Sequence, residues 1–211
     1  MQDYIYGATS GFVQTIIGYP MDTYKTRLQN GIVSKRMPWS GIKYPLSTSM
    51  FICAGGFGTY NQCKTNGLNN IESGFVSGLV MSPFVFITDI GKVKRQTGKS
   101  IDWTTLKTQK GLTATSIRES GSFSVYFYTF NRLKDAGIHP FISGGISGMA
   151  SWAATYPFDV IRNRQISSNI SMYEAIKKGN FLAGFGLCMV RAFFVNSAGL
   201  WVYDTLKTTY G

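Results

Sequence analysis

With 44% hydrophobic but only 15% charged residues, 24 glycines and a net charge of +11, the 211-residue chain is unusual for a soluble domain, and its length allows one domain or two. Three cysteines (Cys53, Cys63, Cys188) and the single histidine His139 form no disulfide framework and no metal-ligand spacing, which excludes zinc chemistry and a Ser-His-acid triad. No Walker-type phosphate loop is present, so no cofactor or metal is expected and the chain does not read as an enzyme.

The first element is an uncharged run, 4–21, that leads into Pro20-Met21-Asp22-Thr23-Tyr24-Lys25-Thr26-Arg27-Leu28-Gln29. A helix is expected over 4–29. Gly7 and Gly11, four apart, would let another helix approach closely, and Pro20 should kink it. Because the run starts almost at Met1, it reads as part of this helix and not as a cleavable signal. A loop over 30–40 leads to a second helix over 42–64, in which Gly55-Gly56-Phe57-Gly58 is read as a close-packing site. After a linker at 65–71 the order returns. A helix over 72–96 carries Gly74, Gly78 and Ile87-Thr88-Asp89-Ile90-Gly91-Lys92, and a helix over 112–134 follows. It returns once more after 135–137. A helix over 138–165 carries Gly144, Gly148 and Pro157-Phe158-Asp159-Val160-Ile161-Arg162, and the last helix is expected over 185–207. Within the loop 168–180, residues 171–178 read as a short surface helix. A lone glycine (Gly41, Gly111, Gly184) precedes each second helix. The chain thus divides into three repeats, 1–67, 68–137 and 138–211.

None of the six apolar stretches is strictly apolar over the ~20 residues of a simple membrane span. They carry Ser, Thr, Gly and Asn, and mean hydropathy is near zero. Six such stretches with charged ends, in three copies, point to membrane helices with one lipid face and one polar face around an aqueous path. The basic residues cluster where the apolar runs end, as juxtamembrane residues do against anionic lipid. That placement argues against a nucleic-acid surface. Arg27, Lys94, Arg95 and Arg164 are read as such lipid-facing charges.

Asp22, Asp89 and Asp159 stand three residues before Lys25, Lys92 and Arg162, on one helix face in each repeat. Isolated charges at that depth are costly, but six alternating charges can close a ring. At the opposite end lie Tyr60-Asn61 with Lys64, Phe130-Asn131 with Lys134, and Tyr203-Asp204 with Lys207. One acid serves three lysines there, so this end should close more weakly. Between the two ends, Arg118, Glu119 and Arg191 lie well inside their helices and are candidates to contact a substrate; Thr48-Ser49 is the neutral counterpart in repeat one. Adjacent helical residues do not normally face one another, so a mutual Arg118–Glu119 pair is not expected.

These residues resemble the mitochondrial carrier family over the whole chain. The Pro-x-acid-x-x-base signature is complete in repeats one and three; repeat two has Ile87 in the proline place and Pro83 one turn earlier. The aromatic-acid-x-x-base signature is complete only at Tyr203-Asp204-Thr205-Leu206-Lys207. The resemblance implies an all-α membrane protein of six transmembrane helices in the mitochondrial inner membrane. It implies that Asp22, Asp89 and Asp159 meet Lys92, Arg162 and Lys25 in a matrix gate braced by Gln29 and Gln96, with Ile166 at the third brace position. It implies a cytoplasmic gate at Tyr60, Asn61, Lys64, Phe130, Asn131, Lys134, Tyr203, Asp204 and Lys207, and cardiolipin sites at Gly41, Gly111 and Gly184. A monomer is expected. The loops between first and second helices are shorter than the family norm. Arg118-Glu119 and Arg191-Ala192-Phe193-Phe194 are similar to the amino-acid branch, which holds ornithine, basic amino-acid and carnitine carriers. The implied function is alternating-access transport of an amino acid. A nucleotide or anion carrier, and a carrier-like scaffold that does not transport, are the alternatives.

Overall fold

The computed structural model describes residues 2–32, 39, 41–100, 108–192 and 195. The order is α1 (Gln2–Gln29), α2 (Lys43–Thr65), α3 (Asn70–Gln96), α4 (Leu112–Asp135), α5 (Pro140–Ser168) and α6 (Met172–Lys177). Residues 185–192 begin a further helix, and no strand occurs among the described residues. The short helix expected after α5 is present as α6. Of the helix expected over 185–207, only the start lies within the described residues.

Local chemistry sets several of these boundaries. Asn69 closes the start of α3 as a capping box: its Oδ1 accepts from Ile71 N and Glu72 N at 2.9 Å each, and Glu72 Oε2 accepts from Asn69 N at 3.1 Å. Ser171 and Glu174 form the same box at α6. Helices α1 and α5 continue through Pro20 and Pro157, and α3 through Pro83. Hydroxyls inside the apolar runs turn back on their own helix, as Thr88 Oγ1 does to Phe84 O at 3.0 Å and Thr155 Oγ1 to Ser151 O at 2.7 Å. Each is thereby satisfied where water is scarce.

The five long helices have 23 to 29 residues, or about 35–44 Å at 1.5 Å per residue. That exceeds the ~30 Å of a bilayer's hydrocarbon core. Among the described residues, α3 alone is also apolar enough to qualify as a span by composition. Burial shows why the composition is mixed. In α3, Ser73, Ser77, Ser82, Thr88, Asp89 and Gln96 are buried, while Phe75, Leu79, Val80, Phe84 and Ile87 are exposed. In α5, Ser143, Ser147, Ser151, Thr155 and Asp159 are buried, while Ile142, Ile146 and Met149 are exposed. Large apolar side chains outside and polar ones inside invert the pattern of a soluble core.

Helix α4 packs between α3 and α5. A Cβ at Gly74 would lie 2.8 Å from Phe123 O, and one at Gly78 would lie 2.5 Å from Glu119 O, so both glycines permit the α3–α4 crossing. Gly55 and Gly56 serve packing likewise, against Met81 and Phe123. At Gly144 the nearest group among the described residues is Tyr126 Oη at 4.0 Å, an ordinary contact. Ser77 Oγ donates to Gly56 O at 2.5 Å and ties α2 to α3.

Candidate functional site: a charge-lined cavity

The ends of α1, α3 and α5 converge just beyond the positions of Pro20 and Pro157. Each acid meets the base of the next repeat. Lys92 Nζ reaches Asp22 Oδ2, Arg162 Nη1 reaches Asp89 Oδ2, and Lys25 Nζ reaches Asp159 Oδ2, all at 2.7 Å. These are the three pairings that the repeat pattern gives, and they close a ring. Gln29 lies against one pair: its Nε2 donates to Asp159 Oδ2 at 3.1 Å and to Tyr156 Oη at 3.2 Å, and its Oε1 accepts from Asn163 Nδ2 at 2.5 Å. Gln96 Nε2 donates to Thr23 Oγ1 at 3.1 Å beside the Asp22–Lys92 pair. At the third position Ile166 is fully buried with Phe86, Ile90 and Val93, so an apolar cluster stands where the amide would be.

Above the ring is a cavity of about 170 Å³, walled by the ring residues together with Arg118, Trp152 and Arg191. Arg191 Nε lies 2.5 Å from Asp22 Oδ1. Arg118 Nε lies 4.0 Å from Asp159 Oδ1. Glu119 Oε1 lies 3.5 Å from Arg162 Nη1. Arg118 and Glu119 also pair with one another, against the sequence expectation. The reason is reach. The ring charges draw both side chains down from α4 to the same point, where the long guanidinium arm folds back beside its neighbour. Among the described residues the charges therefore form two groups, Asp22 with Lys92 and Arg191, and Asp89, Glu119 and Asp159 with Lys25, Arg118 and Arg162.

Sequence reading passed over Trp152, two turns before Asp159 on α5. Its ring lies 4.2 Å from Lys25 Nζ, 4.6 Å from Arg118 Cζ and 5.9 Å from Arg191 Cζ. An aromatic face near cations this poorly solvated offsets part of their mutual repulsion. A tryptophan seven residues before a ring acid, on the same helix face, was the available signal. Thr48 is not a wall of the cavity. Its Oγ1 accepts from Thr88 Oγ1 at 3.1 Å and donates to Tyr44 O at 2.9 Å, which places it in the α2–α3 contact. The side chain of Ser49 lies outside the described residues.

Two of the charges read as lipid-facing are buried instead. Arg27 and Arg164 are 4% and 5% exposed. Arg27 Nε donates to Gln96 O at 2.9 Å, and Arg164 Nε donates to Gln29 O at 3.0 Å. Arg164 Nη1 also donates to Ala175 O at 3.2 Å and Gly179 O at 2.6 Å. The last carbonyls of a helix have no intrahelical partner and carry the negative end of its dipole, which attracts a guanidinium. Arg95 is exposed and Lys94 half-buried.

At the opposite end, Tyr60 Oη accepts from Asn131 Nδ2 at 3.0 Å and donates to Asn70 Oδ1 at 3.1 Å, joining α2, α3 and α4. Its ring stacks on Phe127, and Phe130 stacks on Tyr126. Asn61, Lys64 and Lys134 are exposed, and among the described residues neither lysine forms an ion pair. Tyr203, Asp204 and Lys207 lie outside the described residues.

Gly41, Gly111 and Gly184 all have left-handed φ, of 91°, 126° and 78°. Each also has an aromatic of its own repeat close to where a Cβ would stand: Tyr19 Oη at 3.0 Å, Phe86 at 3.2 Å and Tyr156 Oη at 3.2 Å. Backbone conformation and close packing thus account for glycine at all three positions.

A helical bundle that buries serines, threonines and a charge network around a cavity, and turns its large apolar side chains outward, is built as a membrane solute carrier. The chain belongs to the mitochondrial carrier family, whose description as mitochondrial carrier protein matches residues 1–37 and 135–211. It is accordingly a mitochondrial membrane protein with a small-molecule substrate. It is 26% identical to the mitochondrial basic amino acids transporter of Homo sapiens, with 93% of this chain and 86% of that protein aligned. It is 25% identical to a mitochondrial arginine transporter of Arabidopsis thaliana, over 96% of this chain and 89% of the relative. It is also 25% identical to mitochondrial ornithine transporter 1 of Saccharomyces cerevisiae, over 97% and 94%.

Proposed function

We propose that the protein is a six-helix, three-repeat carrier that spans the mitochondrial inner membrane as a monomer and moves amino acids by alternating access. The observation that carries this reading is that Arg118 and Arg191 wall one cavity with the Asp22–Lys92, Asp89–Arg162 and Asp159–Lys25 pairs, while Glu119 lies behind that wall, 3.5 Å from Arg162. A guanidinium binds a carboxylate bidentately, and Glu119 can take an ammonium group, so the set suits a zwitterion. The names of the relatives support a basic amino acid or a compound like one.

In this reading the ring is the matrix gate and the Tyr60–Asn131 end belongs to the cytoplasmic gate. Substrate entering from the cytoplasmic side competes for Arg118 and Arg191, which Glu119, Asp159 and Asp22 hold in the empty protein. Loss of those contacts weakens the ring and lets it open. Cardiolipin is the proposed lipid partner at the loop ends.

Ligand binding to the folded state raises its melting temperature by mass action. Ornithine, arginine, lysine or carnitine should raise the Tm of the purified protein, and ADP should not. A shift with ADP alone would favour a nucleotide carrier, and no shift with any solute would favour a scaffold.

A further inference from the structure

The three seams of the ring are chemically unequal. The α1–α3 seam holds three polar contacts: the Lys92–Asp22 pair, the Gln96–Thr23 hydrogen bond and the Arg27 tie to Gln96 O. The α1–α5 seam is polar as well, with Lys25–Asp159, the Gln29 contacts and the Arg164 tie to Gln29 O. The α3–α5 seam has its ion pair, Arg162–Asp89, but beneath it the apolar cluster of Phe86, Ile90, Val93 and Ile166 replaces the brace. Repeat symmetry would have Lys94 tie Ile166 O there. Instead Gln109 donates to it at 3.4 Å and to Asn169 Oδ1 at 3.3 Å. Helix α4 packs on both α3 and α5, and α2 packs in turn on α3 and α1, so the difference between the seams lies in the apolar cluster.

Opening to the matrix admits water to a seam. Polar ties exchange partners for water at small net cost. An apolar seam gains nothing from water and resists separation. We propose that the ring opens by withdrawal of α1 from a block of α3, α4 and α5, and that Arg27 and Arg164 are the positioning residues that return α1 to the closed state. This rests on the ring being the matrix gate, and it adds an unequal motion of the three repeats.

Nitroxide labels at exposed positions test it: Leu28→Cys on α1, Arg95→Cys on α3 and Ser168→Cys on α5, in pairs, with Cys53, Cys63 and Cys188 replaced by alanine. Pulsed dipolar spectroscopy on the full chain in lipid nanodiscs reads three distances. In the Arg27→Met, Arg164→Met double variant, 28–95 and 28–168 should lengthen while 95–168 keeps the parent value. Lengthening of 95–168, or no change in any distance, overturns the proposal. Should the methionine variant not fold, Arg27→Lys with Arg164→Lys serves in its place. An ammonium reaches fewer carbonyls than a guanidinium, so the same two distances should shift by less, and the same outcomes overturn it. Added arginine should give the same pattern in the parent. Failure of arginine to move any distance, with the variant pattern intact, counts against the amino-acid reading and leaves the unequal opening standing.

Discussion

Asp159→Asn should unlatch the ring. Asp159 is 1% exposed and receives Lys25 at 2.7 Å, Arg162 Nη2 at 2.8 Å and Gln29 at 3.1 Å, with Arg118 at 4.0 Å. Removing one partner of a buried ion pair costs ~3–5 kcal/mol because the other charge is left uncompensated. Here Arg162 keeps Asp89, and Lys25 keeps the Trp152 ring, so the low end applies. A loss of ~3 kcal/mol from the closed state alone moves the closed-to-open ratio by about two decades, at 1.4 kcal/mol per factor of ten. Thr26 is buried and walls the cavity. In a cysteine-free background, Thr26→Cys should react slowly with a membrane-impermeant maleimide supplied from the matrix-facing side. Adding Asp159→Asn should raise that rate by about 100-fold. An unchanged rate in a variant that still unfolds cooperatively would show that the ring is not what shields the cavity.

Arg118→Ala, Glu119→Ala and Arg191→Ala should each abolish uptake in proteoliposomes with little loss of fold; normal transport by any one of them removes that residue from the substrate site. Trp152→Leu should destabilise the closed cavity by ~1–2 kcal/mol, in the range of partly desolvated cation–π contacts, and Trp152→Phe by less; equal melting of both variants and the parent would show that the ring face contributes nothing. The Ser171 backbone amide, then its hydroxyl, hold the Glu174 carboxyl below the usual carboxylate range at the start of α6. A group with a depressed folded pKa contributes fully above its unfolded value, ~4.3, and loses that contribution as pH falls through the lowered folded value. Intrinsic-rate-corrected amide exchange over 172–177 should therefore accelerate on acidification below about pH 4, and Glu174→Gln should remove the dependence; identical profiles would reject it. Added cardiolipin should raise the Tm, and an unchanged Tm would count against bound lipid at the loop ends.

The sequence made most of the helices legible because charge is confined to their ends and because the repeats corroborate one another. Asp22, Asp89 and Asp159 could be paired with bases across repeats, since a three-residue offset fixes the face and threefold order fixes the neighbour. Other contacts were not legible. Arg27 and Arg164 share the composition of lipid-facing termini, and only the convergence of the odd helices places the free carbonyls of Gln96 and Gln29 within their reach. The Arg118–Glu119 pair depends on a third party, the ring, which no helical spacing rule contains. Trp152 looked like one more aromatic in an apolar run because its significance comes from cations on three other helical segments.

The charge-lined cavity should carry an amino acid across the membrane. Uptake of radiolabelled arginine and ornithine into proteoliposomes, alongside labelled ADP, tests it most directly. Arginine or ornithine uptake should be saturable and eliminated by Arg191→Ala, with no ADP uptake above empty liposomes. Uptake of ADP without either amino acid, or amino-acid uptake that survives Arg191→Ala unchanged, would contradict it.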